Sequence, residues 1–397
     1  MSIDLPTGSS PARVAFYNDP KVRSIAYQVA LCAVIGVLVY GAARNAIDNL
    51  ERAHIASGFG FWNHTAGFDI SQTLIKFDSA TSSYGRAFWV GLLNTLLVAG
   101  IGIVIATILG FIIGIARLSK NWLVAKTATG YVETIRNLPL LLQLLFWYNA
   151  VLKALPEMRE SLVVPGGIFL NNRGLFIPQP IFKDGFGWVL IAFAVGITGA
   201  IAFYVWARKR QEQTGQQAPI FSAGQALVIG LPLLALALAG FPLAFEFPSA
   251  GRFNINGGIE VLPEFAALLF GLSIYTAAFI AEVVRAGITA VSRGQTEAAY
   301  SVGLKAGPTL RLIVVPQAMR VIIPPLTSQY LNLTKNSTLA VAIGYPDLVQ
   351  VFTGTVLNNT GQAVEVVAIT MAVYLTISLA TSLLMNIYNS RIALVER

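Results

Sequence analysis

AFWVGLLNTLLVAGIGIVIATILGFIIGIA, residues 87–116, decides the fold class. No Asp, Glu, Lys or Arg interrupts these 30 residues. About 20 helical residues suffice to cross the hydrocarbon core of a bilayer. In lipid every backbone N–H and C=O must be satisfied within the protein, which leaves only helices and closed barrels as spanning structures. The run is continuous rather than alternating, so it predicts a helix. It is also glycine-rich, with Gly91, Gly100, Gly102, Gly110 and Gly114. Gly110 and Gly114 form a small-xxx-small face, where a second helix backbone can come close.

Seven further apolar runs lie on either side, at roughly 24–43, 123–152, 186–206, 221–242, 263–287, 321–343 and 364–388. The expectation is an all-α polytopic membrane bundle of about eight transmembrane helices. Composition agrees. Apolar residues make up 55% of the chain and charged residues 12%, against about 25% charged in an ordinary soluble domain. Mean hydropathy is +0.66. The first run is too long for the core of a cleaved leader, and a clean Ala-x-Ala site is missing, so it is read as a span. Cys32, the single cysteine, excludes an internal disulfide and a cysteine metal site. The two histidines, His54 and His64, fall ten residues apart in a polar loop and are read as solvated. No metal is expected.

The net charge of +8 does not form a nucleic-acid patch, because the basic residues sit in short segments between the apolar runs. That is the pattern of topology signals. Arg13, Lys21 and Arg23 precede the first run, and Arg117 and Lys120 follow the second. Arg208, Lys209 and Arg210 follow the fourth, and Arg293, Lys305, Arg311 and Arg320 follow the sixth. Arg391 and Arg397 close the chain. With eight spans all five groups share one side, which places both termini in the cytoplasm. The opposite segment 344–363 has no Lys or Arg. The longer outside segments 44–86 and 153–185 carry basic residues mixed with Asp and Glu.

The cytoplasmic loop after the sixth run reads EAAYSVGLKAGPTLRLIVVP, residues 297–316. Residues 292–306 can form a short helix beyond the membrane, stopped by Gly307-Pro308. Ala298 and Ala299 present a small, flat surface to a partner, and Gly303 permits a turn or a close backbone approach. Such a stub can pass motion in a docked partner to the spans on either side. Glu297, Ala298, Ala299, Gly303, Ile313 and Pro316 stand at the spacing Glu-Ala-Ala, three residues, Gly, nine residues, Ile-x-x-Pro. This resembles the EAA loop of ABC importer permeases, with Val315 where Leu is usual.

The branch is read from neighbouring stretches. FIAEVVRAGITAVSRGQTEAA, residues 279–299, is similar to the signature of polar amino-acid permeases, through Phe279, Ala281, Glu282, Arg285, Gly287, Gly294 and Gln295. VETIRNLPLLLQLLFWY at 132–148, LNLTKNSTLA at 331–340 and NTLLVA at 94–99 match as well. Many relatives have Arg-Gly-Thr-Pro where this chain has Arg136-Asn137-Leu138-Pro139. The matches cover about half the chain, in runs two, three, six, seven and eight.

The resemblance implies a five-helix permease core made of 87–152 and 263–397. Residues 1–86 (tail, first span and outside loop) and the inserted block 153–262 are additions. The enlarged layout resembles a membrane subunit of the general L-amino-acid importer. It is similar also to a glutamate/glutamine/aspartate/asparagine importer. The implied setting is the bacterial inner membrane. The implied partners are two ATPase subunits, a second and unlike permease, and a periplasmic amino-acid-binding protein, with residues 293–308 as the coupling helix seated in an ATPase groove. The sequence has no G-x-x-x-x-G-K-[ST] loop, so ATP and Mg are expected on the ATPase chains and no cofactor on this one.

Ionisable groups within spans usually face the protein interior or a water path. Glu133–Arg136 and Glu282–Arg285 are spaced i, i+3 and can each form a local pair. Lys335 has no carboxylate three or four residues away and sits among Asn332, Thr334, Asn336 and Thr338. It could offer a positive charge to an amino-acid carboxylate, snorkel to the interface, or bond a partner. Asn332, Asn336, Gln143 and Arg136 join it as candidate path residues, and Asn149 and Gln329 could also line the route. Two other function classes stay open: an ion-coupled secondary transporter using Glu133 and Glu282, and a membrane enzyme, for which nucleophile, base and metal residues are scarce.

Overall fold

The computed structural model describes residues 20–52, 57–251 and 254–392. His54, Arg13 and Arg397, and with them the outermost parts of both termini, lie outside the described residues. Seven helices among those described are long and apolar enough to cross a membrane.

α1 (Pro20–Arg52) is followed by α2 (Tyr84–Ala116). α2 starts on a capping bond, with the Ser83 side chain accepting from the amide of Arg86. The third apolar run is divided: α3 (Trp122–Asn137) ends before Pro139, and α4 (Leu140–Leu145) continues as a π-helical turn to Leu152. A residue before proline is pushed out of the helical region, and Leu138 accordingly adopts φ −96°, ψ 131°. The Gln143 side chain fills the break. Its Nε2 donates to the carbonyls of Ile135 and Leu138, both at 3.0 Å.

α5 (Phe186–Thr214) and the pair α6 (Ile220–Gln225) and α7 (Leu231–Leu238) form a helical hairpin. α8 (Pro263–Thr289) then enters the core. α9 (Arg293–Ser301) and α10 (Ala306–Thr309) lead into α11 (Val315–Asn336), which continues as a 3-10 segment to Ile343. A π-helical segment Val349–Val356, the short α12 (Leu357–Thr360) and α13 (Ala363–Ile392) complete the chain.

The spans are helical, and the strands lie in the loops. β1 (Leu162–Val164), β2 (Ile168–Asn171), β3 (Gly174–Ile177) and β8 (Ile259–Val261) form an antiparallel sheet in that order. β4 (Gln179–Phe182) pairs with β5 (Leu243–Glu246), and β6 (Ser249–Ala250) with β7 (Ile255–Asn256). The loops before α5 and after α7 are thereby tied together.

The main core joins α2, α4, α8 and α11 through Val98, Leu144, Leu268, Ile280, Ile322 and Leu333. α2 lies along α8 at short range. A Cβ at Gly110 would come within 2.5 Å of Ile280, and one at Gly114 within 2.7 Å of the Ala281 carbonyl. The small-residue face is thus required by close approach. A second, aromatic cluster packs Phe61, Tyr84 and Phe88 against Phe352 and Val366. The apolar windows of α1 and of α6–α7 have nothing buried in them.

Candidate coupling loop and intramembrane path

α9 begins where the Ser292 hydroxyl accepts from the amide of Gly294 at 3.3 Å. It ends earlier than the sequence suggests. Gly303 adopts φ +82°. The Leu304 amide donates to the Ala299 carbonyl at 3.0 Å, and the Gly303 amide to that of Tyr300 at 2.9 Å. These are the paired bonds of a Schellman cap, which wants glycine at its left-handed position. Gly307-Pro308 therefore does not stop this helix. It lies in the first turn of α10, where proline loses no helical bond.

Of the six loop residues, Ala299 alone is fully buried and Ile313 is half-buried. Glu297, Ala298, Gly303 and Pro316 are exposed. So are the apolar Tyr300, Val302, Leu310 and Leu312, with Val302 at 77%. The foot of the stub is tied to the next span by Gln317 Nε2 donating to Gln295 Oε1 at 3.3 Å.

Above the loop, Glu282 of α8 gathers three arginines. It bonds Arg117, at the end of α2, and Arg285, one turn along α8, at 2.6 Å. Arg136, from the last turn of α3, stands 4.0 Å away. The expected Glu282–Arg285 pair forms, but a Glu133–Arg136 pair does not. At the end of its helix Arg136 reaches across to α8, with its guanidinium 5.0 Å from the centroid of Phe279. One carboxylate among three guanidinium groups leaves a positive surplus there. Arg136 and Glu282 line a cavity of about 260 Å3 together with Phe279, Gly287, Pro325 and Gln329.

From that cavity a stripe runs along α11. Val321, Pro325, Gln329, Asn332 and Asn336 are spaced four, four, three and four residues apart, so they share one helix face. Each is at least partly accessible. Lys335 is exposed at the edge of this stripe, about 9 Å along the axis from Gln329 at 1.5 Å per residue. No ion-pair partner for it occurs among the described residues. Gln143 is not on the stripe, since it is buried at the α3–α4 break. Asn149 bonds its own helix, through Nδ2 to the Leu145 carbonyl.

One buried polar group lies outside the candidate path. Asp347 is fully buried beyond α11. Its Oδ1 accepts from the Gln350 amide at 2.8 Å and its Oδ2 from the Tyr374 hydroxyl at 3.3 Å. Burial outweighs these bonds and pushes its carboxyl up to about 7. Around it, Asn94 Nδ2 donates to the Pro346 carbonyl, Thr95 Oγ1 accepts from the Leu348 amide, and Tyr345 donates to the Asn94 carbonyl. An Asp directly before an apolar helical run is a helix-start signal, and it was available in 344–363. On the exposed loop before α2, hydrogen bonds from the Thr81 hydroxyl and nearby amides hold Asp78 below its usual value. His64 is exposed, as expected.

Residues 218–394 match the family described as binding-protein-dependent transport system inner membrane component. The chain is 54% identical, over 97% of its length and 96% of the relative's, to the general L-amino acid transport system permease protein AapQ of Rhizobium johnstonii. It is 42% identical, over 96% of both chains, to the glutamate/glutamine/aspartate/asparagine transport system permease protein BztB of Rhodobacter capsulatus. A crystal structure of an amino acid ABC transporter with histidines aligns at a TM-score of 0.45 and 22% identity. That alignment covers 78% of this chain and 95% of the other.

Proposed function

The chain belongs to the family of binding-protein-dependent inner membrane components, the permeases of ABC importers, and on that premise we propose that it carries polar L-amino acids across the bacterial inner membrane, with broad L-amino-acid uptake as its role. The higher identity to the general permease than to the glutamate/glutamine/aspartate/asparagine permease supports the broad role. A binding protein releases its amino acid into a path between this chain and a second, unlike permease. Two ATPase subunits drive the cycle from the cytoplasmic side, where both termini lie.

The observation that carries this reading is α9: a capped stub whose accessible face bears Val302 and Tyr300 and whose ends are continuous with α8 and tied to α11. Apolar side chains on a stub outside the spans need a partner surface. Closure of the ATPase pair moves the stub, and the stub moves α8 and α11. Along α11 the accessible stripe of Gln329, Asn332 and Asn336 is too polar for lipid. A partner permease therefore faces it, with the amino acid passing between. Arg136 and Lys335, at the two ends of the stripe, offer donors to a carboxylate.

Of the two carboxylates open to the ion-coupled alternative, Glu282 is held by Arg117 and Arg285, while Glu133 is exposed with no ion-pair partner among the described residues, so uptake decides between the readings. The test is uptake after removal of the ATPase subunit. Loss of uptake is expected. Uptake that persists and collapses with a protonophore would overturn the reading. A cysteine at Val302, in a chain with Cys32 replaced, is expected to cross-link to the ATPase. Uptake competition by all twenty amino acids defines the cargo.

A further inference from the structure

The hairpin of α5 and α6–α7 carries a cavity of about 240 Å3 where the two helices meet, lined by Phe203, Trp206, Arg210, Gln216, Gln217 and Pro219. Phe203, Trp206 and Arg210 follow one another at i, i+3 and i+7, so one face of two turns near the end of α5 forms the wall. The rings of Phe203 and Trp206 lie 5.5 Å apart. The Arg210 guanidinium stacks 5.3 Å from the Trp206 centroid. Its Nη2 donates to Gln216 Oε1 at 3.0 Å, from the far side of a turn closed by Gly215 at φ +71°. Arginine has five donors in a rigid plane, so a guanidinium held from two sides keeps donors to offer.

The depth of the cavity is fixed by its neighbours. Apolar side chains of α5 and α7 are exposed along the spans, Val205 and Leu233 among them. The apolar window of α6–α7 has nothing buried in it. Trp206, half-exposed, takes the interfacial level that tryptophan favours. The cavity thus opens where acyl chains give way to headgroups. Its charge is positive. Arg208 is matched by Glu212 at 3.4 Å, but Arg210 has no carboxylate and Lys209, also exposed, has no ion-pair partner among the described residues. We propose that this cavity binds the phosphate of an anionic phospholipid, with Arg210 as the bidentate donor, Gln217 as a further donor and the Phe203–Trp206 wall against the top of an acyl chain. Basic pockets between membrane helices take lipid headgroups in this way, and arginine matches phosphate geometry where lysine offers only a point charge. A choline headgroup would bring a second cation towards Arg210 and is disfavoured.

The test is native mass spectrometry of the assembled, detergent-solubilised transporter titrated with phosphatidylglycerol, phosphatidylcholine or inorganic phosphate. The wild type is expected to hold one phosphatidylglycerol more tightly than the rest. Arg210→Gln should weaken that copy about tenfold, the scale of one lost charged hydrogen bond, and Arg210→Lys should fall between. Arg159→Gln, on a distant loop, should bind as wild type. The size-exclusion profile and subunit composition check that each variant assembles. Undiminished binding in both Arg210 variants would overturn the proposal. So would equal retention of phosphatidylcholine, or displacement of the lipid by millimolar inorganic phosphate, which would make this a free-anion site.

Discussion

Asn94 on α2 donates through Nδ2 to the carbonyl of Pro346, 2.9 Å away and 252 positions on in the chain. A second bond from the same nitrogen reaches the Gln72 carbonyl at 2.8 Å. One buried amide thus fastens α2 to two loops. Asn94→Ala leaves both carbonyls without this donor, at a cost of about 2 kcal/mol. Thermal unfolding of the solubilised transporter should register the loss, while Asn149→Ala, which removes an exposed bond within one helix, should leave the midpoint unchanged.

Gly303 caps α9 at φ +82° with no atom within 4 Å of the Cβ it lacks. Backbone geometry, not space within this chain, restricts the site. Gly303→Val should disorder the cap and reduce uptake at least tenfold with normal amounts of protein in the membrane. Gly303→Asn, which tolerates the left-handed region, should retain more activity. Equal uptake in both would show that the cap conformation does not matter.

Among the described residues, Glu282 is the one carboxylate paired with Arg117, Arg136 and Arg285. Glu282→Gln leaves three cations facing one another across α2, α3 and α8. We expect a lower unfolding midpoint and strongly reduced uptake. Adding Arg117→Gln should restore part of the stability, which a double-mutant cycle measures.

Lys335 lies beside the polar stripe of α11 with no carboxylate partner among the described residues. Lys335→Met should raise the uptake KM for amino acids. An unchanged KM and rate would remove it from the path.

Burial pushes the Asp347 carboxyl up from its ordinary 3.8 to about 7. The folded chain therefore holds this proton more tightly than the unfolded chain. Its contribution to stability is complete below about pH 4 and is lost as pH rises towards 7. Asp347→Asn should flatten that part of the stability curve, as unfolding midpoints between pH 4.5 and 8 can test.

Continuous apolar runs and the glycines of α2 made the spans and the α2–α8 approach readable, because both follow from one-dimensional spacing. Where α9 ends was less readable. Gly303 and Gly307-Pro308 are both punctuation marks, and only the backbone bonds of the cap decide between them. Glu133–Arg136 had the right spacing for a pair, but the partner of Arg136 is Glu282 of α8, far along the chain. The strands of 162–182 and 243–261 were hidden for a similar reason: β3 and β8 are short, and each is specified by a partner far away in sequence. Asp347 carried a local signal, but one acidic residue in a segment without Lys or Arg reads as solvated loop until burial is known.

The gap at Leu138-Pro139 sets how the third run can move. Across an unbroken helix, bending strains a ladder of backbone bonds. Here two carbonyls rest on a single amide side chain, that of Gln143, which can swivel without unwinding either piece. Such a break would serve as an elbow, with α3 and its Arg136 turning against α4, which is packed through Leu144.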